Sequence, residues 1–320
     1  MTLVDAPSPS ASGSGTGGSA GLGPIDSRRG RAPVGPASLA REAAGTTLWI
    51  LAACMIGFAV WFAFLSRLYY DRAQSDAYAN FRVELALAVA PVGPTQPFDP
   101  SQLLAPGTPV AVLNIPEIGL NAVVFEGTSG QVLEQGPGHL RYTAMPGQVG
   151  ISVIFGRRTA FGGPFSRLPA LHIGDTFSVT TGQGVSHYRV IDQRRANDPR
   201  PPLPTAGQGQ LIMTTADGPK LAPSGVVSVD ANLISKANPA PSMPLTNASM
   251  AAGEQPLGTD TGAFLPLALW GGALLILVGA LSWLKHRWGR WQTWIVAVPV
   301  IGFFSLTIAD QAARLLPNLM

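Results

Sequence analysis

Cysteine is almost absent from this chain, since Cys54 is the only cysteine among 320 residues. No disulfide can form within one chain, although a domain outside the cell could have used one. Cys54 lies inside an apolar run, where a thiol behaves as a small inert hydrophobe. The sequence also lacks any cluster of His, Cys, Asp and Glu with the spacing of a metal site. We therefore expect neither a metal nor any other cofactor.

Charged residues are also few, at 12% of the chain with a net charge of +3. Three apolar runs predict transmembrane helices, since about 20 apolar residues cross a bilayer; they are residues 46–66, 264–284 and 291–310. Basic residues flank these runs, namely Arg28, Arg29, Arg31 and Arg41 before the first, and Lys285, Arg287 and Arg290 between the second and third. The positive-inside rule then predicts a multi-pass protein of the cell membrane with a cytoplasmic N-terminus. Because topology explains the arginines, we expect no nucleic-acid partner.

The other segments differ in composition and predict different roles. They are a cytoplasmic arm at 1–45, a stalk helix and Pro-rich linker at 67–107, an extracytoplasmic domain at 108–234, a second linker at 235–263, a short basic cytoplasmic loop at 285–290 and an extracytoplasmic tail at 311–320. The arm is mostly Gly, Ser, Ala and Pro, so it cannot bury enough apolar surface to offset the entropy of ordering it. We expect the arm to be disordered.

The extracytoplasmic domain consists of short segments rich in Val, Ile and Thr that are separated by Gly or Pro turns, a pattern typical of strands. The predicted strands are residues 110–115, 122–125, 151–155, 176–181, 185–191, 210–215 and 226–231. Only short helical candidates lie between them, near residues 131–134 and 163–168. Arg194 and Arg195 are expected on a loop. Many short strands with few helices indicate a mainly β barrel or sandwich.

A series of motifs in this domain resembles the sortase transpeptidases, and most of all the class E-like enzymes of actinobacteria. In order, the motifs are AVLNIPEIGL at 111–120, EGT at 126–128, GPGH at 136–139, MPGQVG at 145–150 and GGPF at 162–165. Each is weak alone, but the set in this order is specific. The resemblance implies a closed β-barrel of about eight strands with short helices, to which the sequence adds the three transmembrane helices.

The resemblance also implies cysteine chemistry on a sorting signal, which needs a thiolate, a His and a cation for the oxyanion. Aligned on the motifs, Arg157 stands at the position of the His and Ala216 at that of the Cys. The position of the Arg falls at Gly225 or Val226. Alanine has no nucleophile, and a guanidinium with a pKa above about 12 cannot act as a base near neutral pH. The chain is therefore predicted to be a catalytically degenerate member of the family.

Several side chains around these positions could still line a binding groove. They are Arg157, Arg158, Thr214, Thr215, Asp217 and His139. The two arginines have two interpretations: a clamp for a carboxylate, phosphate or carbonyl oxygen, or a structural ion pair with Asp217. Asp217 also begins an Asp-Gly pair, which is typical of a turn. His139 belongs to the GPGH motif and is interpreted as a framework residue that bonds to a loop.

Three functional hypotheses follow. The first is an inactive, membrane-anchored sortase homologue that binds a sorting-signal peptide, another envelope protein or an active sortase. The alternative is a cysteine-independent transpeptidase or hydrolase whose nucleophile is a Thr or Ser, with Thr214, Thr215 and Ser224 as candidates. The third is a purely structural module.

Overall fold

The computed structural model describes residues 45, 48–49, 52–219, 223–242, 245–249, 252–259, 261–288 and 290–320. The described helices and strands all belong to one unit, Leu48–Met320. The arm predicted at residues 1–45 lies almost entirely outside the described residues, so its predicted disorder stays a prediction.

Eight strands close into a barrel, in the order β1-β2-β3-β4-β7-β8-β6-β5. Their bounds are β1 Pro109–Ile115, β2 Leu120–Glu126, β3 Gly138–His139, β4 Gly150–Phe155, β5 Thr176–Thr181, β6 Gly184–Arg195, β7 Gly209–Asp217 and β8 Gly225–Leu233. This confirms the mainly β fold, the closed barrel and the short helices. Seven of these strands were predicted; β3, with two residues, is too short to produce a periodic pattern.

Alternating apolar side chains of the strands point inward and fill the barrel. Leu113, Ile115, Ile154, Leu211 and Val229 are fully buried within one apolar cluster. Because the barrel is closed, strand edges are paired almost everywhere, and little backbone is left to template aggregation. Packing of this apolar core holds the strands in their register.

Strand β6 is longer than the sequence predicted, and it contains Arg194 and Arg195, which we expected on a loop. The apolar alternation stops at Val190, where the register with β8 shifts at a bulge, yet the pairing continues to the end of β6. Arg194 binds the buried Asp230 through two hydrogen bonds, at 2.7 Å and 3.3 Å. The loop assignment was wrong because a pattern of apolar residues cannot follow a strand whose later positions are charged.

Helix α1, Ser66–Ala86, lies against the outside of the barrel, where Phe81 is fully buried. Its Gln74 side chain substitutes for a neighbouring strand: the amide oxygen accepts from Val123 N at 2.7 Å. The amide nitrogen donates to Val123 O at 3.1 Å and to Gln135 O at 2.9 Å. A Cβ at Gly136 would collide with this amide. Gln74 thus binds the main chain of β2 at Val123, a position that the short β3 does not reach.

Among the described residues, two helices are long and apolar enough to cross a membrane, where three were predicted. They are α3, Phe264–Trp288, and α4, Arg290–Arg314; the short α2, Gly130–Leu133, belongs to the barrel domain. The first predicted span includes residues 46, 47, 50 and 51, which lie outside the described residues. Its described part is helical over 52–60 and continues through a π-helical turn, Trp61–Leu65, into α1. Because part of it lies outside the described residues, the first span stays a prediction.

Replacing Gln74 by Ala is expected to lower the free energy of unfolding by about 1 to 3 kcal/mol, because Val123 then has buried, unsatisfied main-chain groups. Urea denaturation of the detergent-solubilised protein, followed by circular dichroism, measures this change. The matched control is Asn80→Ala on the exposed face of α1, which should leave stability unchanged. Equal stability of the two variants would contradict the role assigned to Gln74.

Candidate functional site

The predicted site residues meet where β4 and β7 end. These two strands are parallel neighbours, and their register places Phe155 opposite Thr214. The carboxyl ends of parallel strands lie at the same edge of a sheet, so Arg157 and Arg158 come to lie beside Ala216 and Asp217. A hydrogen bond of 2.8 Å from the Thr215 hydroxyl to Gly156 O ties the two strand ends together. The name cleft is used below for this edge, formed by residues 156–160 and 214–217.

Arg157 is a buried cation, with 1% of its surface exposed. One terminal nitrogen donates to Gly130 O at 2.9 Å and lies 4.0 Å from a carboxylate oxygen of Glu134. The guanidinium also stacks 4.7 Å from the centre of the Phe161 ring. Its Nε and its other terminal nitrogen have no hydrogen-bond partner among the described residues. Burial lowers the pKa of Arg157 to about 10, against the opposing effect of Glu134, so it stays charged at neutral pH.

Of the two arginines considered as partners of Asp217, Arg158 lies beside it and Arg157 does not, and Arg195 is a partner that was not expected. Arg195 donates to it at 2.9 Å, and Arg158 lies 3.8 Å away. Arg158 also donates to the main-chain oxygens of Ala216 and Gly218, at 3.1 Å and 2.9 Å. The main-chain N–H of Gly218, helped by the two arginines, lowers the pKa of Asp217 below its ordinary value. Asp217 is therefore a charged residue at the end of β7 whose oxygens are used in local structure.

The hydroxyl groups at the end of β7 are engaged in structural hydrogen bonds. Thr214 shares one of 2.9 Å with Ser228, and Thr215 donates to Gly156 O; both threonines are buried. Among the described residues, neither hydroxyl has a His as hydrogen-bond partner. A Thr or Ser nucleophile needs an adjacent base. Ser224 lies on the exposed turn before β8, where its main-chain N–H donates to Asp217 O.

His139 lies in β3 and is almost fully buried beside Glu126. Its Nδ1 is 2.8 Å from Glu126 Oε2, and its Nε2 is 2.9 Å from Ala144 O. Because a carbonyl oxygen can only accept, Nε2 donates to Ala144 O, and Nδ1 shares a hydrogen bond with the carboxylate of Glu126. His139 thus joins β2, β3 and the following turn. Glu126 was not predicted as its partner, since no local spacing links the EGT and GPGH motifs.

The three positions that the resemblance assigned to catalysis differ in environment. Ala216 and Val226 are direct partners across β7 and β8, and both belong to an apolar cluster. Arg157, in contrast, points toward Gly130 and Glu134. Leu319, in the tail, belongs to the same apolar cluster, which nothing in the sequence indicated. Among the described residues, no three His, Cys, Asp or Glu side chains are placed to hold a metal ion.

Residues 113–239 match the family model described as the Sortase domain, from within β1 to beyond β8. The barrel therefore has the sortase fold, which confirms the predicted resemblance at the level of domain and fold. The match covers less than half of the chain. No curated protein matches the sequence. The loss of activity and the actinobacterial origin stay predictions.

Several solved sortases are similar to this chain. The sortase D5 transpeptidase of Clostridium perfringens has 21% identity and a TM-score of 0.41, with 52% of this chain and 99% of that chain covered. Sortase E of Streptomyces avermitilis has 26% identity and a TM-score of 0.35, with 48% and 100% covered. A lid mutant of sortase A from Corynebacterium diphtheriae has 22% identity and a TM-score of 0.37, with 46% and 75% covered.

Replacing His139 by Ala is expected to destabilise the protein by about 3 to 5 kcal/mol, because Glu126 would remain buried without its partner. Thermal and urea denaturation of the solubilised protein measure the change. His172→Ala is the matched control, since that side chain is 87% exposed and should matter little. A similar small effect of both variants would show that the buried pair is not a structural link.

Proposed function

We propose that this protein is a membrane-anchored sortase homologue of the bacterial cell envelope whose barrel binds peptides without cleaving them. The observation that carries the proposal is the methyl group of Ala216 at the end of β7, where sortase chemistry needs a thiol. Cys54 cannot supply that thiol, because it lies in the N-terminal helical segment, within the apolar run. The partners we propose are a sorting-signal peptide, another envelope protein or an active sortase.

The chemistry of the cleft also gives no support for a catalytic base at Arg157. A base must release and accept a proton near neutral pH, and a buried guanidinium with a pKa of about 10 remains charged there. A buried cation suits recognition better, because its nitrogens can donate to peptide carbonyl oxygens. The Nε and Nη1 of Arg157 have no partner among the described residues, and both are buried, so a peptide would reach them only after the residues that cover the guanidinium move.

The alternative is a transpeptidase or hydrolase with a Thr or Ser nucleophile. It has less support, because Thr214 and Thr215 donate to or share bonds with other protein oxygens, and His139 is paired with Glu126. The third hypothesis, a structural module, requires that the cleft bind nothing at all. One set of binding and product measurements separates these three functions.

The proposed topology places the barrel outside the cell and residues 1–45 inside. Cys54 is the only native cysteine, so the Cys54→Ala protein has no thiol of its own and is a suitable background for labelling. A membrane-impermeable maleimide should label Ala206→Cys, on an exposed turn before β7, in intact cells. It should label Ser27→Cys only after lysis. The reverse pattern would refute this orientation.

Fluorescent Leu-Pro-x-Thr-Gly and Leu-Ala-x-Thr-Gly peptides should bind the solubilised full-length protein saturably and remain intact by mass spectrometry. Arg157→Met should weaken binding by roughly tenfold, or about 1.4 kcal/mol, as expected for the loss of a charged donor. Arg189→Met, on an exposed position of β6, is the matched control. Circular dichroism establishes that both variants are folded.

Cleaved or amine-ligated peptide in this experiment would support the alternative, and its loss in Thr214→Val or Thr215→Val would identify the nucleophile. If the peptides stay intact and bind neither the wild type nor the Leu319→Asp variant, only the structural module remains.

A further inference from the structure

The segment that follows α4 enters the cleft. Helix α4 ends at Arg314, and residues 315–320 continue toward the ends of β4 and β7. Asn318, Leu319 and Met320 are 2%, 0% and 4% exposed. A short segment after a membrane helix becomes this buried only when specific contacts hold it.

The main chain of this segment is bound by three consecutive amides of the cleft. Arg158 N donates to Leu319 O at 3.0 Å. Thr159 N and Ala160 N donate to the main-chain oxygen of Met320 at 3.3 Å and 3.1 Å. Main-chain donors that project into a groove are a general way to bind a peptide, because they do not depend on the peptide's side chains.

The side chain of Leu319 fills the apolar part of the cleft. It is fully buried in the cluster that contains Leu133, Phe155 and Ala216. Burying a leucine side chain contributes about 1.5 to 3 kcal/mol, so this residue is an anchor of the segment. The position at which a sortase would carry its nucleophile is therefore covered by a side chain of the same protein.

Asn318 provides the specific polar contacts. Its side-chain nitrogen is 3.1 Å from Thr128 O, 3.1 Å from Gly253 O and 2.9 Å from Gln255 O, and its main-chain N–H donates to Gly258 O at 2.9 Å. These oxygens belong to the turn after β2 and to the second linker. The two hydrogens of this nitrogen are shared among three carbonyl groups, which favours Asn over an apolar residue that could donate to none of them.

From these contacts we propose that residues 316–320, Leu-Pro-Asn-Leu-Met, are the resident peptide ligand of the cleft and close it to other peptides. The proposal rests on the proposed function in one respect, that the cleft binds peptides. It adds the regulation of that site. The segment begins with a Leu-Pro pair, as one of the two test peptides does. A competing peptide must displace the segment from the main-chain amides and from Ala216.

The membrane helices determine where the segment can lie. Helix α4 packs on the N-terminal helical segment, where Ser305 donates to Ala53 O at 3.1 Å. Nearer the barrel, Trp61, Phe161 and Ala313 belong to one apolar cluster. Because no linker separates α4 from residues 315–320, a shift of α4 within the membrane would withdraw the segment. Opening of the cleft is thus coupled to the packing of the membrane helices.

The position of the segment can be tested without any peptide. In the Cys54→Ala background, Ala216→Cys and Leu319→Cys should cross-link in the full-length protein in membranes, either as a disulfide or through a short bis-thiosulfonate reagent. The control pair is Ala206→Cys with Leu319→Cys, because β7 places Ala206 roughly 20 Å or more from the cleft. Equal cross-linking of the two pairs, or none of the Ala216 pair, would overturn the proposal.

The effect on ligand binding is a separate measurement. Leu319→Asp should place a charge in the apolar cluster, release the segment and strengthen binding of the fluorescent peptides by roughly tenfold or more. Leu203→Asp changes an exposed leucine, with 76% of its surface accessible, and should bind as the wild type does. Identical binding by Leu319→Asp and wild type would overturn regulation by the segment. Cross-linking of the Ala216 pair with no binding by any variant would instead refute the proposed function and leave the occupied cleft in place.

Discussion

The parallel pairing of β4 with β7 is the interaction on which the site depends. Parallel neighbours end at the same edge, so two segments far apart in sequence, residues 156–160 and 214–217, form one cleft. The hydrogen bond from Thr215 to Gly156 and those from Arg158 to the β7 turn hold the two ends together. Main-chain donors, an apolar cluster and a buried cation are consequently presented on one face.

Most polar groups of this face form hydrogen bonds or ion pairs within the protein, and one is proposed to bind the ligand. Asp217, Thr214 and Thr215 are satisfied by neighbouring groups, and the His139–Glu126 pair stabilises the adjoining strands. Arg157 differs, because its burial leaves two nitrogens without partners. This distribution of polar groups in a sortase fold supports the proposal that the cleft holds a peptide backbone without cleaving it. The proposed function and the occupied cleft follow from the same contacts.

The sequence predicted the barrel well because its strands are short segments rich in Val, Ile and Thr between Gly or Pro turns, and because the EGT, GPGH and MPGQVG motifs occur in this order. It failed where the physical signal is not periodic. β3 is too short for a pattern, and the end of β6 is charged because Arg194 pairs with Asp230. The partners of Arg157, and the place of Leu319, are set by contacts between segments that are distant in sequence. Local spacing carries no information about such contacts.

Strand β3 has only two residues, so it pairs with β2 at two positions only. Next to this short pairing, the side chain of Gln74 in α1 binds the main chain of β2. Helix α1 continues directly from the helical residues 52–65, which pack on α4. A displacement of residues 52–65 would therefore be transmitted through α1 to the β2 side of the barrel, which α1 contacts through Gln74 and the buried Ala77.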